Sequence, residues 1–338
     1  MKDTYEFNFL IKLLFTNNKI TVSELKSLDY EVLTKIASNQ LVIPTLFLKL
    51  KSRKLLKHIP PEFNNYLQEI YKLNLNRNRT LIKEANEISI LLNKKNIEHV
   101  FIKGTALVFD GIYDDISERM INDIDFLINK KDIQAVEEIF QKKDYFKKKD
   151  ENFIFKRHLV RRINKKKLFA LEPHVKLLES KEKLLNESNV LKFKLQKKIF
   201  IPNPIYNLIY NIYSFQINDN GSLLLNYNLR NFYDSFLLIK INNIKINNIE
   251  MNNEVSNYFN VLNDLNIKLF EFEKFKFNWL TRLRLKLRRK SNWFKKIDIK
   301  ICLIIISYKI LFKQFCSFIL NKNYRLKKLN VILKFKRK

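Results

Sequence analysis

Two acids set two residues apart, Asp123 and Asp125, lie inside the apolar run Ile121-Asn122-Asp123-Ile124-Asp125-Phe126-Leu127-Ile128, downstream of a Lys103-Gly104-Thr105 turn. On a strand, residues two apart project from one face, so the two carboxylates point together while Ile124 points into the packing. Like charges held this close repel each other. The usual relief is a hard divalent cation: Mg²⁺ is held by one or two carboxylates with phosphate oxygens completing its shell, and Mn²⁺ accepts the same oxygen donors. A glycine turn lets backbone N–H groups approach a phosphate with no Cβ in the way. The chain has only three glycines, Gly104, Gly111 and Gly221, so a glycine at this place is not compositional drift. Nucleotidyl or phosphoryl transfer needs little beyond such positioning and charge neutralisation. Arg119, four residues before Asp123, reads as a surface charge on its own and as a clamp for phosphate oxygens beside a metal-phosphate site.

The elements that must position these groups follow from periodicity. His99-Val100-Phe101-Ile102 reads as a short buried strand, and residues 121–128 as a second. A helix is expected from Asp132 to Gln141, and residues 153–163 and 168–177 form a hairpin across Asn164-Lys165. Before this core, from about Tyr5 to Asn96, the apolar spacing is helical, broken at Pro60-Pro61, with Thr21 and Ser23 as cap residues ahead of Glu24. After Pro202-Asn203-Pro204 the helical pattern returns through Ile239, and an Asn-rich, low-complexity stretch over 241–253 reads as a linker. The expected class is α+β: a small mixed sheet with flanking helical segments and a basic helical tail. The expected organisation is a helical region over 1–96, a catalytic core over 97–180, a helical region over 181–240, the linker, and the tail over 254–338.

The series Lys103-Gly104-Thr105-Ala106-Leu107, Tyr113, Arg119, Asp123-Ile124-Asp125-Phe126-Leu127-Ile128 and Tyr145 resembles the signature of an uncharacterised bacterial nucleotidyltransferase family of the polymerase-β-like superfamily. The family pattern is a Leu-Lys-Gly-x-Ala-Leu turn, a Tyr, an Arg, then Asp-Ile-Asp-Leu-Leu-Val. Upstream, Leu33-Thr34-Lys35-Ile36-Ala37, Val42-Ile43-Pro44-Thr45-Leu46 and a long helix near 78–93 are similar to the family's helical lead-in. Downstream, Leu171-Glu172-Pro173-His174 resembles its acid-x-His strand, and Leu229-Arg230-Asn231-Phe232-Tyr233-Asp234 its Leu-Arg-x-x-x-Asp helix. The resemblance covers roughly the first 240 residues. It implies that Lys103, Gly104 and Thr105 bind the triphosphate with Arg119, that Asp123 and Asp125 hold the metal, and that Glu172 completes the metal site or acts as base. His174, Arg230 and Asp234 are carried over as supporting residues, the last two reading equally as an intrahelical ion pair. The chain departs from the pattern in three places: Thr105 stands for Ser, Pro173 sits where an aliphatic residue is usual and suits an edge strand, and Tyr210 and Tyr213 occupy a helix that often carries histidine.

Composition frames the partners. The abundance of Lys, Asn, Ile and Phe looks like the coding bias of an AT-rich genome, which warns against reading every lysine as functional. Two cysteines, Cys302 and Cys316, supply neither a disulfide framework nor a zinc site, and with no signal-type apolar start the expectation is a cytoplasmic protein. The formal charge of +30 is uneven: residues 282–338 carry 19 Lys and Arg against Asp298 alone. Within this tail Ile301 to Leu320 is apolar, but Lys309 and Lys313 at its centre each cost about 2.5–3.5 kcal/mol in a spanning helix. An in-plane amphipathic helix at an anionic membrane surface, peripheral at the inner face, is one reading; a basic helix packed back on the domain is the other. Two functions are carried forward. One is a Mg²⁺- or Mn²⁺-dependent transfer of a nucleoside monophosphate from an NTP to an acceptor hydroxyl on a small molecule, glycan precursor or protein, with an RNA-directed variant ranked below it. The alternative is a non-catalytic basic module for RNA or membrane with a vestigial site; interleaved aromatics of an RNA-recognition motif are absent, which ranks nucleic acid lower.

Overall fold

A computed structural model describes residues 4–147, 157–245, 249–267, 278–322 and 324–326. Five helices come first: α1 (Tyr5–Phe15), α2 (Val22–Lys26), α3 (Tyr30–Asn39), α4 (Ile43–Ser52) and α5 (Pro61–Asn93). The expected punctuation is used. Thr21 and Glu24 close a capping box at α2, and α5 begins at Pro61, where a missing N–H leaves no helical bond unmade. Eight of the ten buried residues of α5, Phe63, Leu67, Asn74, Asn78, Leu81, Ala85, Ile88 and Leu92, recur every three, four or seven positions and form one inward stripe, with Glu84 and Ser89 beside it. Two polar members of that stripe, Asn74 and Asn78, have a positioning task described below.

The core alternates strands and helices: β1 (His99–Phe101), α6 (Lys103–Asp110), β2 (Asp123–Ile128), α7 (Ile133–Lys142), β3 (Phe146–Lys147), β4 (Arg162–Ile163) and β5 (Ala170–His174). They form a mixed five-stranded sheet in the order β1-β2-β5-β4-β3. β2 is an inner strand, antiparallel to β1 and parallel to β5, and Ile124, Phe126, Leu127 and Ile128 are buried on it. The helix expected from 132 is α7, and the expected hairpin is β4 against β5, antiparallel with Arg162 opposite Leu171; residues 153–156 of its first arm lie outside the described residues.

Pro173 is a correction. It sits on β5, an inner strand and not an edge. Its carbonyl accepts from the Leu159 N–H, so its nitrogen faces the same side, where the His158–His174 contact is an isolated bridge and the ladder asks for no donor.

After the core come α8 (Glu187–Lys192), a small hairpin of β6 (Lys194–Gln196) and β7 (Phe200–Pro202), α9 (Pro204–Tyr213), a π-helical turn over Ser214–Asn218, α10 (Gly221–Leu224), α11 (Leu229–Asn242), α12 (Asn253–Asp264), α13 (Trp279–Lys290) and α14 (Asn292–Leu320). The π-helical turn packs on α11 and α12 through Phe215, Phe232 and Tyr258, whose rings meet edge to face at 5.3–6.2 Å. One hydrophobic core runs from α1 to Leu285 of α13. Helix α14 is different: its start packs on α10 and α13, while of its side chains only Cys302 and Ser317 are buried.

Candidate active site

The parallel register of β2 and β5 sets Asp123 opposite Ala170, Asp125 opposite Glu172 and Leu127 opposite His174. Alternation puts Asp123, Asp125, Glu172 and His174 on one face, so three carboxylates and an imidazole converge without any loop being needed. The face is largely closed to water: Asp125 and Glu172 are 6 % exposed and His174 is fully buried. Glu172 is therefore part of the cluster and not a surface residue.

Charges buried this way require partners. Lys103 Nζ lies 2.5 Å from Asp125 Oδ1 and 3.9 Å from Glu172 Oε2. Arg161 Nη2 bridges Asp123 Oδ2 at 2.9 Å and Glu172 Oε1 at 2.6 Å. Lys103 reaches inward because the Ile102 N–H bonds the Asp125 carbonyl at 3.0 Å, holding the end of β1 against β2. Its own backbone turns with φ 54°, a left-handed conformation costing about 1–2 kcal/mol for a residue with a Cβ.

The ionisation pattern follows. Burial raises Asp123, the neighbouring Glu172 raises it further, and Arg161 offsets only part, leaving it at about 6. Burial also pushes Asp125 up, but Lys103 and His174 more than offset this and hold it well below the usual carboxylate range. Burial, helped by Lys103, lowers His174 to about 3 against the pull of Asp125. A neutral His174 whose Nε2 lies 2.8 Å from Asp125 Oδ1 donates that N–H to the carboxylate, which assigns it the task of orienting Asp125.

A divalent ion fits this donor set. Asp125, Glu172 and His174 offer ligand atoms within 4.8 Å of one another, and Asp123 adds a hard oxygen at the more open end.

Gly104 and Thr105 depart from the phosphate reading in their side-chain faces. A Cβ on Gly104 would meet Ile121 Cγ1 at 2.9 Å, so the glycine makes room for a core isoleucine. Thr105 is fully buried with no partner for its hydroxyl. What the turn retains for a phosphate is backbone: Ile102 supplies no side-chain cap, so the first N–H groups of α6 are left unclaimed by one.

Cationic side chains gather instead in a cavity of about 190 Å³ beside the acids, lined by Lys103, Arg119, Arg157 and Arg230 with Tyr210 and Asp219. Arg119 is seated by α5. Asn74 Nδ2 donates to the carbonyls of Ser117 and Arg119, and Asn78 Nδ2 to those of Ile116 and Arg119, at 2.5–3.2 Å. The expected Arg230–Asp234 ion pair is not formed. Asp234 pairs with Arg119 at 2.9 Å and accepts from Tyr113 Oη at 2.7 Å, while Arg230 donates to the Met120 carbonyl. Burial, reinforced by Arg119, lowers Arg230 to about 10. The Nε atoms of Arg157 and Arg230 are buried without a hydrogen-bond partner. Sequence reasoning missed Arg157, Arg161, Asn74 and Asn78; the basic run at 157–162, facing Glu172 across the expected hairpin, was the available signal for the arginines.

Three carboxylates on paired strands of a small α+β sheet, beside a cationic cavity, fit a metal-dependent nucleotidyltransferase. The family model described as "Uncharacterised nucleotidyltransferase" matches residues 26–256, more than half of the chain, and the chain belongs to this family. The match spans every residue of the acid cluster and the cavity, and ends before α13 and α14. No curated protein matches the chain.

Proposed function

We propose that the protein transfers a nucleoside monophosphate from an NTP to an acceptor hydroxyl, as a member of the polymerase-β-like nucleotidyltransferases, with the triphosphate seated between the carboxylates and the Lys103–Arg119–Arg157–Arg230 cavity. The observation that carries this is the adjacency of two opposite charge environments sharing one residue, Lys103, which touches Asp125 and also lines the cavity. Asp123, Asp125 and Glu172 are the residues that would hold Mg²⁺ or Mn²⁺, and a bound ion would neutralise phosphate charge there. His174 keeps Asp125 aimed, and Arg161 keeps Asp123 and Glu172 from parting. Lys103 can exchange a carboxylate for a phosphate oxygen, and the guanidinium groups receive the leaving pyrophosphate. The acceptor, whether small molecule, glycan precursor or protein, attacks the α-phosphorus as its proton passes to the carboxylate cluster.

A second reading, a basic binding module with a vestigial site, draws on one observation: the Lys103 ammonium already satisfies Asp125 at 2.5 Å. Calorimetry separates the two. Titrating each of the four NTPs with Mg²⁺, with Mn²⁺ and with chelator into wild type and Asp123→Asn should show metal-dependent binding that the substitution abolishes. NTP binding that is indifferent to both metal and substitution, or no binding to folded wild type, would replace the transferase reading with the vestigial one.

A further inference from the structure

The strongest unassigned feature is the far half of α14. Its start is clamped to the domain: Asp298 pairs with Arg284 and Arg288, Arg288 Nη1 donates to the Leu224 carbonyl at 2.6 Å, and Cys302 Sγ to that of Leu223 at 3.3 Å. Beyond Cys302 most side chains of the helix are exposed. Ile301, Ile304, Tyr308, Phe312, Phe315 and Ile319 recur every three or four residues, the spacing of one helix face, and each is at least half exposed. Scattered exposed apolar residues need no explanation, but a continuous exposed stripe marks a surface built to be covered.

We propose that α14 lies in the plane of an anionic bilayer, its apolar stripe among the acyl chains and its lysines among the headgroups. Charge selects this occupant. Asp298, the single acid against the 19 Lys and Arg of residues 282–338, is already engaged by two arginines, and Arg289 reaches out of the segment to Asp264, so the segment keeps a large net positive charge. A second copy would bring two such basic arms together, whereas an anionic surface attracts them. Helix α14 is long and apolar enough to cross a membrane, and the central lysines are what favour the in-plane pose. Lys309 and Lys313 are four apart and share a face rotated away from the stripe, where headgroups can reach both; a spanning helix would carry them to the centre of the bilayer.

The test is flotation of the full chain with vesicles of phosphatidylcholine alone or mixed with phosphatidylglycerol, comparing wild type with the double variant Ile304→Glu, Phe312→Glu. Wild type should float with the anionic vesicles, less at raised salt, and wash off in alkaline carbonate; the double variant should lose at least tenfold of its binding. Both substituted positions are exposed, and unchanged thermal unfolding would show that the domain is intact. Any of four results overturns the proposal: no flotation of wild type, flotation that ignores the substitutions, retention through carbonate, or a dimer in sedimentation that the same substitutions disperse without any vesicle binding. None depends on whether the nucleotidyltransferase reading stands.

Discussion

The acid cluster and the arginine cavity share a wall at Lys103 yet solve burial in opposite ways. In the cluster, each carboxylate has a cation or an imidazole donor within about 3 Å. In the cavity, Arg119 takes up Asp234, Arg230 is left with a carbonyl, and two guanidinium Nε atoms are buried without partners. Matched charge is what a fold builds for itself; buried cations with donors to spare are what it holds for something negative that arrives later. Substitutions on the two sides of the wall should therefore do different damage.

The largest effect is expected at Asp125. Asp125→Ala leaves the Lys103 ammonium and the His174 N–H without their acceptor, and urea denaturation should show a loss of about 3–5 kcal/mol. Next comes a pH trend at Asp123. Its folded value of about 6 lies above the ordinary 3.8, so the protonated form is the one the metal-free fold prefers. The stability contributed is present below the ordinary value and lost as pH rises through 6, by up to about 3 kcal/mol. Asp123→Asn should flatten that dependence in urea melts taken across the window, and a slope that survives the substitution would place its origin elsewhere. On the cavity side, Arg230→Gln should leave stability unchanged or improved while weakening pyrophosphate binding by about 1.5–3 kcal/mol, read by calorimetry. Equal losses of stability and binding would erase the contrast drawn here. The smallest effect is expected at His174: His174→Ala should cost about 1–2 kcal/mol, and His174→Gln, which restores an amide donor, should recover part of it.

The face of β2 was readable because period two and apolar flanks act locally. Asp123 and Asp125 had to share a side once Ile124, Phe126 and Ile128 were buried on the other. The pairing of β5 with β2 was not readable, because register across a crossover is set by packing that no short window contains. That is why Glu172 came only from the resemblance, with two alternative roles, and Arg161 did not enter at all. Gly104 has a second task that no short window shows: the space it leaves is filled from Ile121, a residue whose proximity only the tertiary fold creates. The same limit applied to α14, whose apolar run and central lysines were visible while its exposure was not. Arg230 and Asp234 were placed on one helix correctly, yet each found its partner on a different element.

Helix α1 lies outside the family match, which begins at residue 26. Leu10 and Leu13 are nevertheless fully buried, Phe15 meets Tyr233 and Phe236 edge to face, and Arg53 of the segment after α4 ties down the Leu13 and Thr16 carbonyls. Tyr233 in turn donates to Glu118, next to Arg119, at 2.7 Å. The unit that evolves together and the unit that folds together thus have different edges here, and a chain shortened to its recognisable portion would lose wall residues of its own core.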